Sequence, residues 1–244
     1  MVVLKANGKM QEATSRRDEF LAMLGHELRN PLAPIANGIV LLRRLNCDNP
    51  DVARICDMVD RQLGSMRRLL DDLLDVARLH QGKLRVECQP LDLQPVVQSA
   101  IEVCRPFLER RSHQLTVELP PQPLRVLGDA TRLSQAIANL LNNAIKYTPH
   151  DGSIIIRASL QQAQVTLCVR DNGIGMTPTL LPRIFELFVQ GEQEAGKPHT
   201  GLGVGLALVD SIVQAHGGTV RALSEGRDLG SEFVMTLPYL EECG

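Results

Sequence analysis

Apolar residues follow one spacing rule up to about residue 81 and another beyond it, and that change constrains the fold more than any single motif. Over 10–81 they recur mainly at steps of three and four: Leu21, Leu24, Leu28, Ile35, Ile39 and Leu42, then Val52, Ile55, Val59, Leu63, Met66, Leu70, Leu73 and Leu74. That is the spacing of one face of an α-helix. "NCDNPD" (46–51) divides the two runs, and Asp48 or Asn49 can cap the second. The pattern is a helical hairpin. Two helices of roughly 30 residues, ~45 Å long at ~1.5 Å per residue, cannot enclose so many leucines alone. A second copy would complete a four-helix bundle, so a homodimer through this segment is expected.

Beyond "HQGKLRVECQPLDLQ" the period shortens. Strand-like runs occur at "HQLTVEL", "LRVLGD", "SIIIRASL", "QVTLCVRD", "TVRALSE" and "EFVMTL". Helical patterns fall between them over 93–111, 129–147 and 203–216, the middle one opening on Asp129 as N-cap. Mixed strands and helices with adjacent strand pairs indicate an α+β sandwich, one sheet layered on helices. The expected chain is therefore multidomain: an all-α hairpin over 10–82, a linker over 81–90, and a sandwich over 91–240. The polar stretch "VQGEQEAGKPHT" (189–200) reads as a mobile loop.

Composition narrows the function classes. A formal charge of −2, 3% aromatic residues and no tryptophan offer neither a basic stripe nor stacking platforms, so nucleic acid is not an expected ligand. No apolar run approaches 18 residues, and the first eleven lack the apolar centre of a signal peptide. A cytoplasmic chain without direct membrane contact is expected, either a fragment of a larger protein or one that depends on input from a partner. Cys47, Cys56, Cys88, Cys104, Cys168 and Cys243 form no C-x-x-C pair and read as reduced thiols without chemistry.

Three signals in the second half bear on chemistry. In "NLLNNAIKYT", Asn139, Asn143, Lys146 and Tyr147 share one helix face, with Leu133, Ile137, Leu140, Leu141 and Ala144 on the other. Such a polar face can simply meet water. "DNGIGM" (171–176) follows a strand, and its carboxylate and two glycines fit a plain turn as well as a ligand loop. In "GLGVGLALV", Gly201, Gly203 and Gly205 lead into a helix whose start offers free N–H groups to phosphate oxygens. This last pattern follows a polar loop rather than the first strand of a βαβ unit, and no G-K-[ST] occurs, which speaks against the dinucleotide and Walker alternatives.

In order and spacing these signals resemble the sensor histidine kinases, whose catalytic domain is of the Bergerat ATP-binding superfamily. "NLLNNAIKYT" resembles the N box, "DNGIGM" the first glycine box, "IFELF" (184–188) the F box and "GLGVGLA" the second glycine box. The resemblance covers nearly the whole chain, from about residue 18 to residue 237. It implies ATP and Mg²⁺ as cofactors. Asn143 would ligate the metal with Asn139 supporting the same face, Lys146 would meet the phosphates and Tyr147 would pack beside the nucleotide. Asp171 would accept a hydrogen bond from the adenine amino group, with Gly173 and Gly175 letting the loop lie against the ring. Gly201, Gly203 and Gly205 would line the phosphate tail, under a lid at 189–200. The chain departs from the family at Gln190, where many relatives carry an arginine for the γ-phosphate and where Lys197 or His199 would have to supply the charge. It departs again at Leu202, in place of a small hydroxyl residue.

"GHELRNP" (25–31) resembles the H box of the same family. A His26 imidazole neutral near pH 7 keeps a ring-nitrogen lone pair able to attack the γ-phosphate. Glu27 takes the general-base role that the family assigns to it, and Asn30, one turn on, would orient a water that hydrolyses the phosphorylated partner. Pro31 should bend the helix near Glu27. The remaining five histidines read as ordinary surface residues. What the resemblance implies is a protein-histidine kinase that autophosphorylates His26 and passes the group to an aspartate of a response-regulator receiver domain, with phosphatase activity as a second expectation. The rivals from other classes are an ATP-driven conformational machine of the same superfamily and a non-catalytic dimeric scaffold that binds a receiver domain.

Overall fold

In the computed structural model the chain divides into two compact units, residues 1–84 and 85–244. The structure describes residues 35, 37–42, 49–59, 63, 64, 66, 86–189 and 203–241.

The described part of the first unit is helical apart from Asn49, over 35, 37–42, 50–59, 63, 64 and 66. Asn49 caps the start of the second helical stretch, its Oδ1 accepting from Asp51 N–H at 3.0 Å and Val52 N–H at 3.3 Å. Ile39 on one stretch packs with Cys56 and Leu63 on the other, bordered by Val52 and Val59. Ile39, Val52, Val59 and Leu63 are positions of the three–four periodic stripe, which is why the two stretches meet there, while Cys56 rather than its neighbour Ile55 faces inward. Large apolar side chains stay outside this contact, among them Leu41 at 57% exposure and Ile55 at 56%.

The second unit runs β1 (Gln89–Asp92), α1 (Leu93–Arg110), β2 (Gln114–Glu118), β3 (Arg125–Gly128), α2 (Ala130–Tyr147), β4 (Ser153–Gln161), β5 (Gln164–Asp171), a 3-10 turn (Leu181–Arg183), α3 (Gly205–Ala215), β6 (Thr219–Leu223) and β7 (Ser231–Pro238). Five strands form one sheet in the order β2-β4-β5-β7-β6. The β2–β4 pair is parallel and the others antiparallel. Strict alternation along β5 sends Val165, Leu167, Val169 and Asp171 to one face, where Ile154 and Ile156 of β4 and Met235 and Leu237 of β7 join them. The apolar stripes of the helices cover that face: Leu133, Ile137, Leu140 and Leu141 from α2, Leu208 and Ile212 from α3, and Val97, Ile101 and Cys104 from α1, which packs on α2.

Both long helices begin on an aspartate. Asp92 accepts from Gln94 N–H, and Asp129 accepts from Thr131 and Arg132 N–H at 3.0 and 3.1 Å, so the expected cap at Asp129 is present. The expected linker over 81–90 ends differently. Its last two residues, Gln89 and Pro90, already belong to β1, which pairs antiparallel with β3 to make a second, two-stranded sheet. A four-residue strand containing proline has too little alternation to register as one. Tyr239 bridges to Val126 and Leu240 N–H donates to Arg125 O at 2.9 Å, so the segment after β7 lines the other edge of β3.

The hairpin between β4 and β5 turns through Gln162 and Ala163, both left-handed at φ 46° and 58°. This two-residue turn demands positive φ twice and is normally built from Asn-Gly, because an L side chain there costs roughly 1 kcal/mol or more per residue. Replacing Gln162 with Asn and Ala163 with Gly together is expected to raise stability by about 1 kcal/mol. Thermal unfolding reads this as a Tm higher by a few degrees, and an unchanged Tm would show that the turn carries no strain.

Candidate functional site

The site forms where the end of α2, the loop after β5 and the start of α3 meet. On α2, Asn139 and Asn143 lie one turn apart on the face that also carries Lys146 and Tyr147. The Asn139 amide stands beside the first residue of α3: a Cβ placed on Gly205 would meet its Cγ at 3.8 Å and its Nδ2 at 3.9 Å. Asn139 Nδ2 is buried and has no hydrogen-bond partner among the described residues. A buried donor left unpaired costs about 1–3 kcal/mol, so its position asks for an acceptor that comes from outside the fold. Val204, at the N-cap position of α3, gives no side-chain hydrogen bond to the first-turn N–H groups. The unpaired Asn139 amide and a helix N-terminus face one another here, a combination suited to anionic oxygen.

Lys146 places its ammonium 2.8 Å from the Tyr147 hydroxyl and 4.4 Å from the centre of the Tyr147 ring. The cation is thereby kept at the surface of the site rather than free in solvent.

Asp171 closes β5 and is 5% exposed. Burial pushes its carboxyl above the ordinary aspartate range, against the backbone N–H groups of Gly173 and Ser231, which pull it down. Gly173 N–H donates to Oδ1 at 2.8 Å. The loop beyond it lies on two backbones. Ile174 N–H donates to Tyr147 O at 3.1 Å, and a Cβ on Gly173 would come within 2.4 Å of that same oxygen. Gly175, at φ +65°, would drive a Cβ to 2.0 Å from Gly226 O. Gly175→Ala therefore combines left-handed backbone strain with a backbone collision. It is expected to cost ~2 kcal/mol or more, seen as a Tm lower by roughly 4–8 °C; a Tm within a degree of the parent would show that the turn at 226 yields.

That turn, between β6 and β7, carries residues the sequence reading missed. Ser224 Oγ accepts from Met176 N–H at 2.9 Å and donates to Gly230 O at 2.7 Å. Asp228 N–H donates to Ile174 O and Gly230 N–H to Gly173 O. Two glycines four apart just before a strand, at 226 and 230, are the signal that could have revealed it. His216, expected to be an ordinary surface histidine, is buried instead. Its Nε2 accepts from Asp129 N–H at 2.9 Å while Nδ1–H donates to Ile212 O at 2.7 Å, which ties the end of α3 to the start of α2.

Asn139, Asn143, Lys146, Tyr147, Asp171, Gly173, Gly175, Gly203 and Gly205 thus stand on three adjoining segments. Gly203, at φ +71°, sits where its carbonyl accepts from Phe188 N–H at 2.9 Å, so these two residues, one on either side of 189–200 in the chain, are joined. The F-box ring of Phe185 meets Phe233 edge to face at 6.5 Å. His26, Glu27, Asn30, Pro31, Gln190, Lys197, His199, Gly201 and Leu202 lie outside the described residues. The four described cysteines Cys56, Cys88, Cys104 and Cys168 are free thiols. Burial and the Glu232 carboxylate push Cys168 up to about 12, which makes it unreactive. Among the described residues no helix is long and apolar enough to cross a membrane.

Two family models match the chain on either side of its linker. Residues 16–82 match the His Kinase A (phospho-acceptor) domain, and residues 128–241 match the histidine kinase-, DNA gyrase B- and HSP90-like ATPase. The chain belongs to the histidine kinases. The part of a histidine kinase that it represents is the catalytic core. It is 34% identical over 220 residues to the probable sensor histidine kinase TcrY of Mycobacterium tuberculosis, covering 90% of this chain and 45% of TcrY. It is 34% identical over 241 residues to the autoinducer 2 sensor kinase/phosphatase LuxQ of Vibrio cholerae, covering 96% of this chain and 27% of LuxQ. The chain therefore spans less than half the length of either relative. Among solved structures, full-length ShkA in complex with AMPPNP superposes with a TM-score of 0.75 at 28% identity, covering 93% of this chain and 47% of ShkA. The mycobacterial sensor histidine kinase MprB gives a TM-score of 0.55 at 28% identity, over 63% of this chain and all of that one.

Proposed function

We propose that this histidine kinase core binds ATP in the second unit and phosphorylates His26 in the first. The observation that carries the reading is the buried, unpartnered Asn139 amide beside the uncapped start of α3, on a helix face that also presents Asn143 and Lys146. An anionic phosphate chain supplies the acceptor that this arrangement lacks. Asn143 would hold Mg²⁺ through its amide oxygen together with phosphate oxygens, and the ion neutralises phosphate charge when bound. Lys146 reaches the phosphates from its seat on Tyr147. Asp171 accepts from the adenine amino group while Gly173 and Gly175 keep the loop flat enough for the ring. AMPPNP bound by ShkA agrees with this ligand class.

A neutral His26 ring nitrogen donates its lone pair to the γ-phosphorus. The new N–P bond forms as the P–O bond to ADP breaks, ADP leaves with that electron pair, and Glu27 takes up the proton of the other ring nitrogen. The phosphoryl group then passes to a carboxylate of a response-regulator receiver domain. In a separate phosphatase reaction Asn30 orients a water that attacks the phosphorylated receiver carboxylate, releasing inorganic phosphate and the free carboxylate, a pairing of activities that the name of LuxQ carries. The exposed apolar residues of the hairpin, Val40, Leu41, Leu42, Ile55 and Met58, supply the face for a homodimer. Residues 10–82 are the phosphoacceptor and dimerisation domain and 91–240 the ATP-binding domain. ATP as substrate agrees with a cytoplasmic chain. Incubation with γ-labelled ATP and Mg²⁺ tests the reading. Label that is lost in acid and kept in alkali is the expected result, and protein that binds ATP but never acquires such label would overturn it.

A further inference from the structure

The last carbonyls of an α-helix have no partner within the helix, and at the end of α2 each has found one. Ala144 O accepts from Thr148 N–H at 3.0 Å and Tyr147 O from Ile174 N–H at 3.1 Å. The carbonyls of Ile145, Lys146 and Thr148 all face one nitrogen, Nη1 of Arg111, at 3.0, 3.0 and 3.3 Å. Arg111 is the C-cap residue of α1, remote in sequence from the helix it closes. Its own carbonyl accepts from Asp151 N–H at 3.1 Å, and two residues on His113 Nε2 lies 2.9 Å from Pro149 O. The α1–β2 turn thus holds the segment 145–151 along its length.

A guanidinium suits this place on two counts. It is a permanent cation at the negative end of a helix, and its planar fork keeps one nitrogen among several carbonyls where a lysine ammonium would rotate. What it closes is no ordinary helix end. The last turn of α2 bears Lys146 and Tyr147, and Tyr147 O is the atom on which Ile174 N–H rests and against which Gly173 packs. Any tilt of that turn moves the Lys146 ammonium and the loop after Asp171 together.

We infer that Arg111 is a positioning residue of the nucleotide site: by clamping three carbonyls it sets the last turn of α2, and through Tyr147 O the glycine loop, without touching nucleotide. This rests on the ATP reading given above. The test compares the full chain with R111M, R111K and L237A, the last a core truncation on β7 away from the α2 terminus. At a temperature where melting curves show every variant folded, R111M is expected to bind Mg-ATP roughly ten-fold more weakly and R111K about three-fold. L237A, with an equal or larger fall in Tm, is expected to bind as the parent does. Without nucleotide, hydrogen exchange at the Thr148 and Ile174 amides is expected to quicken in R111M and not in L237A. Should R111M fail to fold, R111K is read in its place. Parent-like affinity and exchange in the arginine variants, or an equal loss of affinity in L237A, would overturn the inference. If the parent itself binds no ATP, the functional reading falls, and the exchange rates alone decide the role of Arg111.

Discussion

The His26→Gln chain is expected to acquire no acid-labile label from γ-labelled ATP while binding Mg-ATP within about two-fold of the parent. The asymmetry between the two readouts follows from the division of the chain. His26 belongs to the unit ending at residue 84, whereas Asn139, Lys146 and Asp171 belong to the unit beginning at residue 85. Glutamine is close to histidine in length and is a good helix former, so the substitution suits the helix expected from the sequence at that position. Its amide nitrogen has its lone pair delocalised into the carbonyl and cannot form the N–P bond. The loss is therefore complete rather than graded, unlike that of a residue that only assists the transfer. Filter binding of labelled protein after acid and alkali washes gives the first readout, and titration calorimetry with Mg-ATP the second. Residual label with the same acid lability would move the phosphoacceptor to another histidine. Lost ATP affinity would mean that the two units fold interdependently.

Period alone made most of the second unit legible. The alternation in "QVTLCVRD" and the three–four stripe of "ATRLSQAIANLLNNAIKY" each report a face buried against something, and β5 and α2 are where those patterns lie. The glycine spacings of the site were visible for the same local reason. What those glycines rest on was not, because Gly175 meets the turn at 226 and Gly173 meets the end of α2, both remote along the chain. Arg111 and His216 escaped notice on similar grounds. Each pairs with backbone groups of another element, and a side chain that serves distant main chain leaves no trace in the composition around it. β1 was hidden because a short strand with proline depends on its partner β3 rather than on its own pattern.

Asp171→Asn should separate stability from binding by moving them in opposite directions. Burial is the largest influence on the Asp171 carboxyl and outweighs the N–H groups of Gly173 and Ser231, so its folded-state pKa lies above the ordinary value of 3.8. A raised carboxyl pKa means that the folded state holds the proton more tightly than the unfolded one. Its contribution to stability is then fully present below 3.8 and is lost as pH rises through the folded value. Ionising this buried carboxyl costs the folded, nucleotide-free protein, and the neutral amide removes that cost while its oxygen can still accept from Gly173. The variant is expected to melt above the parent at neutral pH, with the gap closing as pH falls toward the ordinary aspartate value. Nucleotide binding should go the other way. A carboxylate accepting from the adenine amino group is a charge-assisted partner, and its loss corresponds to an affinity on the order of ten- to a hundred-fold weaker. The same substitution leaves the contacts to phosphate unchanged, so inorganic triphosphate should bind either protein with the same affinity. Paired melting curves across pH and a nucleotide titration of both proteins measure this directly. A variant that melts lower at neutral pH would show that the two backbone donors outweigh burial, and one that binds ATP as tightly as the parent would remove Asp171 from the adenine contact.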